Sequence, residues 1–398
     1  VKHKAFTSQT DVWYSESDAF YMYQAENDSK TYTKEANPFL PHDITLNGTA
    51  VRSPMGIEGT EHISAAQKFY YEPNRNLSVQ VYGSMFFMNS YDLIQDMTFS
   101  QSRDFMAGVK AKYNVKDWFT VNLSIHNDFY DRFKRHERID ERKKVYKSKI
   151  FEPRLTLTST YFSGHSIILG VEHTSDELTS DRFVNRKMTT RALHETEYFL
   201  QDEWTANKHW MLSTGVRTNF SKAFGFMYMP KIAVKYSPDE HWAIRANYSM
   251  GYRAPSIKEL FFNWDHLGMF QIRGSEDLKP EKNHYFSLGA EYTHNGFFMN
   301  VNAYINKFRN KIEGVWHIYD MQYNFEYTNL SSQRLYGIEA ILKWHFLDHF
   351  TLNGTYSYVN VSKQDGIQVN TTSPHAATAS IDLSLIHISE PTRLLSIS

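Results

Sequence analysis

From Ile63 onward the chain keeps one rhythm: segments of about ten residues in which apolar and polar side chains alternate, bounded by a very short turn at one end and a longer polar stretch at the other. A period of two puts successive side chains on opposite faces of a strand. From Trp242, one face carries Trp242, Ile244, Ala246, Tyr248, Met250 and Tyr252, and the other Ala243, Arg245, Asn247, Ser249, Gly251 and Arg253. Phe297, Met299, Val301, Ala303 and Ile305 stand likewise against Asn300, Asn302, Tyr304 and Asn306, and the segments from Phe119 and Phe350 repeat the pattern. Such strands suit a wall with oil on one side and water on the other. The short turns lie near 72–75, 115–117, 163–165, 206–209, 238–241, 294–296 and 347–349, and all are rich in turn residues. Trp118, Trp210, Trp242, Phe297 and Phe350 follow them closely, where a membrane barrel needs its interfacial girdle. A soluble sandwich or propeller also alternates, but no repeat of fixed length is visible.

Composition agrees. The 398 residues include 28 Phe, 26 Tyr and 8 Trp, yet 22% are charged and the mean hydropathy is negative, so the aromatics are spread singly through polar sequence. No run approaches the ~20 apolar residues of a transmembrane helix. A formal net charge of -1 gives no reason to expect nucleic acid as a partner. The absence of cysteine excludes a disulfide framework and thiolate metal sites, and is compatible with an oxidising periplasm. The chain starts at Val1 without an initiator Met or signal peptide, which reads as a fragment or a processed piece.

Three segments are expected. Residues 1–62 read as barrel wall plus one long polar loop, with strand over Phe6 to Tyr14 and Ala19 to Gln24 and loop at Asp28-Ser29-Lys30 and 38–41. Residues 63–382 are the alternating strands. Residues 383–398, beginning Leu383-Ser384-Leu385-Ile386-His387-Ile388-Ser389, read as the conceptual translation of a sequencing adapter rather than as protein. Longer loops are expected at 135–145, 179–187, 254–282, 314–323 and 363–373, facing outward, with the mixed charges of 135–144 read as solvated.

The longest of these loops carries two boxes. Gly251-Tyr252-Arg253-Ala254-Pro255-Ser256-Ile257-Lys258-Glu259-Leu260 resembles the Tyr/Phe-Arg-Ala-Pro box of TonB-dependent outer-membrane receptors. Glu276-Asp277-Leu278-Lys279-Pro280-Glu281 resembles their Asn-Pro-x-Leu-Lys-Pro-Glu box, with Ser275-Glu276 where Asn-Pro usually stands. Tyr327-Thr328-Asn329, Gly337-Ile338-Glu339-Ala340 and Pro374-His375 extend the likeness. The resemblance implies an all-β, transmembrane antiparallel β-barrel in the outer membrane of a Gram-negative bacterium. This chain would supply about 14 to 17 of about 22 strands, the plug domain lying upstream. It also implies outer-membrane lipid around the barrel and the TonB-ExbB-ExbD energy-coupling complex acting through the plug. No bond of the cargo has to be made or broken, so no enzymatic activity and no resident cofactor are expected.

The expected cargo is a scarce iron complex, haem or a ferric siderophore. Cobalamin or an oligosaccharide would also need such uptake, and a passive porin is the reading from another class. Haem receptors of this family place a histidine between the two boxes, and His266 stands there, flanked by Phe262, Trp264, Met269 and Phe270. Imidazole can serve as an axial ligand for haem iron, and the flanking side chains can pack on a porphyrin. The bland alternative is that one of 18 histidines falls in a long loop. Arg273 and Lys279 are candidates for anionic groups of the ligand. Tyr252, Arg253, Ala254, Pro255, Leu278, Lys279, Pro280 and Glu281 read as a loop anchor, with Arg253 facing the lumen and pairing with Glu276, Asp277 or Glu281. Glu259 reads as a partner of Lys258 or a solvated residue.

Overall fold

A computed structural model describes residues 2–3, 5–32, 44–91, 98–136, 141–183, 187–266, 269–319, 322–347, 349–362 and 373–383. The chain opens with β1 (Lys2–His3), β2 (Phe6–Ser17), β3 (Phe20–Tyr32), β4 (Ile44–Ile57) and β5 (Gly59–Tyr71). There follow β6 (Leu77–Tyr91), β7 (Thr98–Lys116), β8 (Phe119–His136), β9 (Glu141–Ser159), β10 (His165–Ser180), β11 (Thr189–Thr205), β12 (Trp210–Ser221), β13 (Gly225–Tyr236) and β14 (Trp242–Arg253). The helix α1 (Ile257–Phe261) and two short strands, β15 (Asn263–His266) and β16 (Phe270–Arg273), interrupt the series. The long strands resume with β17 (Glu281–His294), β18 (Phe297–Tyr319), β19 (Gln322–Phe346), β20 (Phe350–Val361) and β21 (His375–Leu383).

All but β3 and β4, which pair with each other, belong to one sheet of 19 strands. Setting aside β1, β15 and β16 leaves sixteen long strands in that sheet among the described residues, within the expected 14 to 17. Antiparallel registers run unbroken from His165↔Trp204 between β10 and β11 and from Trp242↔Tyr292 between β14 and β17. The short turns explain this regularity. Asn74, Asn207 and Asp239 each accept two backbone N–H bonds from the residues two and three positions on, closing the turn before the next strand. Asn295 (φ 44°) and Gly296 (φ 77°) are both left-handed, as a two-residue hairpin with matching twist requires.

Burial is distributed the opposite way from a water-soluble sandwich. Alternate residues leave large apolar side chains open, Leu288 at 60% and Tyr198 at 57%, while the other face carries ion pairs. Arg217 binds Glu172 and Glu197 at 3.2 and 3.0 Å, and Arg245 binds Glu291 at 3.1 Å. Cross-strand aromatics cluster beside the short turns, with Trp210 and Tyr236 at 4.4 Å and Trp242 and Tyr292 at 4.7 Å. Lipid covers such an outer face, and the amphipathic rings sit at the headgroup level.

Two compact units are distinguishable. In the first (Val1–Tyr71, Gln80–Gly108 and His126–Ile150), β2 pairs with β5, and Asn89–Glu61, Gln101–Asn89, Ser102–Tyr130 and Lys144–Asp131 bonds link successive strands from β5 to β9. The second (Glu72–Val79, Val109–Ile125 and Phe151–Ser398) contains both boxes.

The strands run further than the sequence suggests. Asp28-Ser29-Lys30 lies within β3, paired to Gly48, Asn47 and Leu46 in turn, rather than in a loop. The expected loop 314–323 is mostly β18 and β19, paired up to Tyr319↔Gln322, and the expected loop 135–145 is largely β8 and β9. Past the lipid a ladder needs only backbone partners, so its sequence loses the apolar alternation that marks a membrane strand. The sites 38–41, 184–186 and 363–372 fall outside the described residues, as does the tail from 384; Leu383 ends β21.

Candidate functional site

The site begins where β14 ends. Pro255 sets the backbone out of the strand and is almost fully buried. Ser256 then caps α1 with a complete capping box, its hydroxyl accepting from Glu259 N–H while the Glu259 carboxylate accepts from Ser256 N–H at 2.7 Å. That same carboxylate meets Arg253: Nη1 donates to its two oxygens at 2.9 and 3.1 Å. Arg253 Nε and Nη2 donate to the two oxygens of Glu281, at 3.0 and 2.9 Å, in the parallel fork that only arginine offers. Of the acids expected as partners the structure selects Glu281, and it adds Glu259, which the sequence alone pairs with Lys258 or leaves to solvent.

Glu281 also accepts from Ile312 N–H at 2.6 Å. Burial pushes its carboxyl up, but the Arg253 hydrogen bonds, the Ile312 N–H and the charges of Arg253 and Lys311 outweigh burial and hold it below the ordinary glutamate range. Both residues lie on the loop side of the ~9–11 residues that a tilted strand needs to cross. Leu278 and Leu260 bury against Ile312, with Leu193, Phe224, Phe261 and Tyr327 around them. The backbone of Lys279 is held at both ends by Asn329, whose Oδ1 accepts from its N–H and whose Nδ2 donates to its C=O, each at 2.8 Å. Asn329 Nδ2 also donates to the C=O of Asn310, a left-handed residue (φ 54°) at an irregularity in β18. Ala254 and Pro280 are half-buried beside these contacts, and the buried Tyr252 hydroxyl has no hydrogen-bond partner among the described residues.

The candidate ligand residues stand on a second, smaller structure. β15 pairs antiparallel with β16, β16 pairs parallel with β19, and β19 pairs antiparallel with β18. Register then decides which side chains share a face. One row reads His266, Phe270, Tyr323 and Ile318 across the four strands; the next reads Trp264, Ile272, Phe325 and Trp316. Both rows lie on the same face. Ring contacts follow the registers, with His266 to Phe270 at 4.8 Å, Trp264 to His266 at 5.1 Å, Phe270 to Trp316 at 5.3 Å and Trp316 to Phe325 at 5.0 Å. The Arg182 guanidinium lies 4.3 Å from the centre of the Trp264 ring. Trp264 Nε1 is buried without an acceptor among the described residues.

The opposite face is polar: Gln271 bonds Asn263 and accepts from Arg273, which also pairs with Glu326 at 3.7 Å. Arg273 is therefore separated from the aromatic row that the sequence grouped it with. Phe262 is also set apart, buried at the foot of the β15–β16 hairpin against Phe183 at 5.6 Å. Met269 is exposed at the hairpin turn, its N–H donating to His266 C=O. Sequence reasoning missed Phe183, Arg182, Trp316 and Phe325, which reach the site only through tertiary pairing, whereas the Ser256–Glu259 capping box was written in the chain.

The sequence profile of the family described as TonB dependent receptor-like, beta-barrel matches residues 9–388. The chain belongs to that family. It is an outer-membrane β-barrel of Gram-negative type, and the family is one of receptors that transport, not of enzymes. Among curated proteins, the iron-regulated outer membrane virulence protein of Vibrio cholerae serotype O1 is 26% identical over 235 residues, which cover 56% of this chain and 35% of that protein. The ferric enterobactin receptor of Pseudomonas aeruginosa is 24% identical over 196 residues, 43% of this chain and 26% of that one. The barrel thus matches about a third or less of the length of these relatives. A solved structure of that enterobactin receptor, bearing two substitutions, superimposes with a TM-score of 0.70 at 15% identity, over 96% of this chain and 64% of the other, a likeness of fold.

Proposed function

We propose that this barrel belongs to a receptor for active, TonB-coupled uptake of a ferric siderophore whose iron-binding groups are aromatic, and that the cargo lands on the face formed by β15, β16, β19 and β18. The observation that carries this reading is the one-sided aromatic face with a cation at its edge. A ferric catecholate is a flat-ringed anion: Trp264, Phe270, Trp316 and Phe325 offer stacking, Arg182 offers charge, and the Trp264 indole N–H lacks an acceptor. The curated relatives, one iron-regulated and one a ferric enterobactin receptor, point to iron as well. The two boxes serve as the anchor that seats α1 and the hairpin on the barrel, through Arg253, Glu281, Glu259 and the Lys279–Asn329 pair. Energy comes from TonB with ExbB-ExbD pulling on the plug, since a scarce complex needs an affinity site coupled to work.

A haem reading keeps one specific support: His266 stands among aromatic rings, 4.8 Å from Phe270 and 5.1 Å from Trp264, and imidazole is a suitable axial ligand for haem iron. Binding of a radiolabelled ferric catecholate and of haem, the latter by Soret absorbance, to the intact receptor in detergent separates the two. Catecholate binding weakened about tenfold by Trp264→Ala, as loss of one stacked anchor predicts, upholds the siderophore reading. Saturable haem binding abolished by His266→Ala moves the cargo to haem. Binding of neither sinks both cargo readings while the fold stands.

A further inference from the structure

Two neighbouring short turns each place a histidine at the rim. Asp239 Oδ1 accepts from the N–H of His241 and of Trp242, which fixes the start of β14. The left-handed pair Asn295 and Gly296 follows His294 directly and fixes the end of β17. Because β14 and β17 are partners from Trp242↔Tyr292 onward, these turns lie side by side. They bring together rings 53 residues apart in sequence: the centroids are 4.4 Å apart, the planes stand at 85°, and Nδ1 lies 3.4 Å from Nδ1. Neither ring is buried, so water and ions reach both.

Imidazole nitrogens bind zinc at about 2.0–2.1 Å, and two such bonds at the tetrahedral angle hold their nitrogens about 3.3–3.4 Å apart. The His241–His294 spacing is that edge. We infer that His241 and His294 form a two-imidazole site for a divalent transition metal of borderline softness, Zn2+, Ni2+ or Cu2+, at the short-turn rim of the barrel. Thr293 C=O, 3.0 Å from His241 Nδ1, can only accept, so Nδ1 carries the proton. Metal binding moves that proton to Nε2, which faces the Glu240 carboxylate at 3.9 Å. At that distance the exposed carboxylate supplies negative charge near the far nitrogen, not a direct hydrogen bond. The His241 ring must turn away from the Thr293 carbonyl to bind the metal, and water completes the shell. Among the described residues no three His, Cys, Asp or Glu side chains converge, so the site is weaker than a structural zinc centre with four protein ligands.

The competing arrangement is a plain N–H···N hydrogen bond that takes no metal. Calorimetric titration of Zn2+ into the intact receptor in detergent at about pH 7.5, where free imidazole is neutral, decides between them. Wild type is compared with His241→Ala, His294→Ala and His209→Ala; His209 occupies the adjacent turn, with Nδ1 bonded to Ser237 C=O at 2.7 Å and no imidazole partner among the described residues. The expected result is one zinc equivalent present in wild type and His209→Ala and lost in the other two. Equal stoichiometry and affinity in the four proteins, or no zinc bound by wild type, overturns the site. If either alanine variant does not reach the folded barrel, His241→Gln and His294→Asn enter the same titration with the same two outcomes.

Discussion

Arg253 aims its fork at one carboxylate and its remaining amino group at another, so a single side chain ties the end of β14, the start of β17 and the cap of α1. Lysine keeps the charge but not the fork. Arg253→Lys should therefore loosen residues 254–281 by about 1–3 kcal/mol, the cost of leaving a largely buried acceptor unpaired, read as faster amide exchange in that stretch with the rest of the barrel unchanged. Acid should do the same to wild type. Because the folded Glu281 carboxyl sits below its ordinary range, its stabilisation is complete above the unfolded value of about 4 and is lost as pH falls through the lower folded value. Exchange of Ile312 N–H, corrected for its intrinsic rate, should rise on acidification below about pH 4, and Glu281→Gln should flatten that rise. That Arg253 pairs with an acid near the second box was readable from the sequence, which left Glu276, Asp277 and Glu281 open; the β14–β17 register, Arg253↔Glu281, chooses between them. Glu259 was not, because a five-residue helix is too short to show a periodic face and the cap hides a second use of the same carboxylate.

At the scale of elements, the small sheet that carries His266 shows where local reading stops. Its two halves were visible only as an aromatic stretch at 261–270 and an apparent loop at 314–323. The face appears when β16 docks parallel to β19, a contact between segments some fifty residues apart that no alternation within either could announce. Glycine makes room for it: a Cβ on Gly314 would lie 2.0 Å from the Phe325 ring, so the ring lies flat across the strand there. Gly274 plays the matching part at the base, where its N–H donates to Phe262 C=O and a Cβ would stand 2.6 Å from Glu259 C=O, a backbone atom that cannot swing aside. Gly274→Ala should cost the hairpin about 1–3 kcal/mol of overpacking strain, seen as protease cleavage near 266–274 and weaker cargo binding while the barrel itself stays folded.

For the whole molecule, the barrel was the most legible feature, because lipid and water impose opposite demands on alternate residues for as long as a strand remains in the membrane. Leu288, open on the outer face at mid-strand, reports that demand directly. Leu288→Arg should lower folding into lipid vesicles by about 2–4 kcal/mol, whereas Asn300→Gln on the polar face should change it by less than about 0.5 kcal/mol, both from denaturant titrations. The demand ends at the headgroups, and the strands do not. β18 has 23 residues, which at ~3.3 Å each and a tilt of ~45° climb ~50 Å, against the ~40–45 Å of a whole bilayer. Trp316 and Ile318, near its upper end, therefore stand at or above the height of the lipid headgroups. On the proposed reading, a cargo held by that aromatic face would therefore meet it from solution rather than by diffusing within the plane of the membrane.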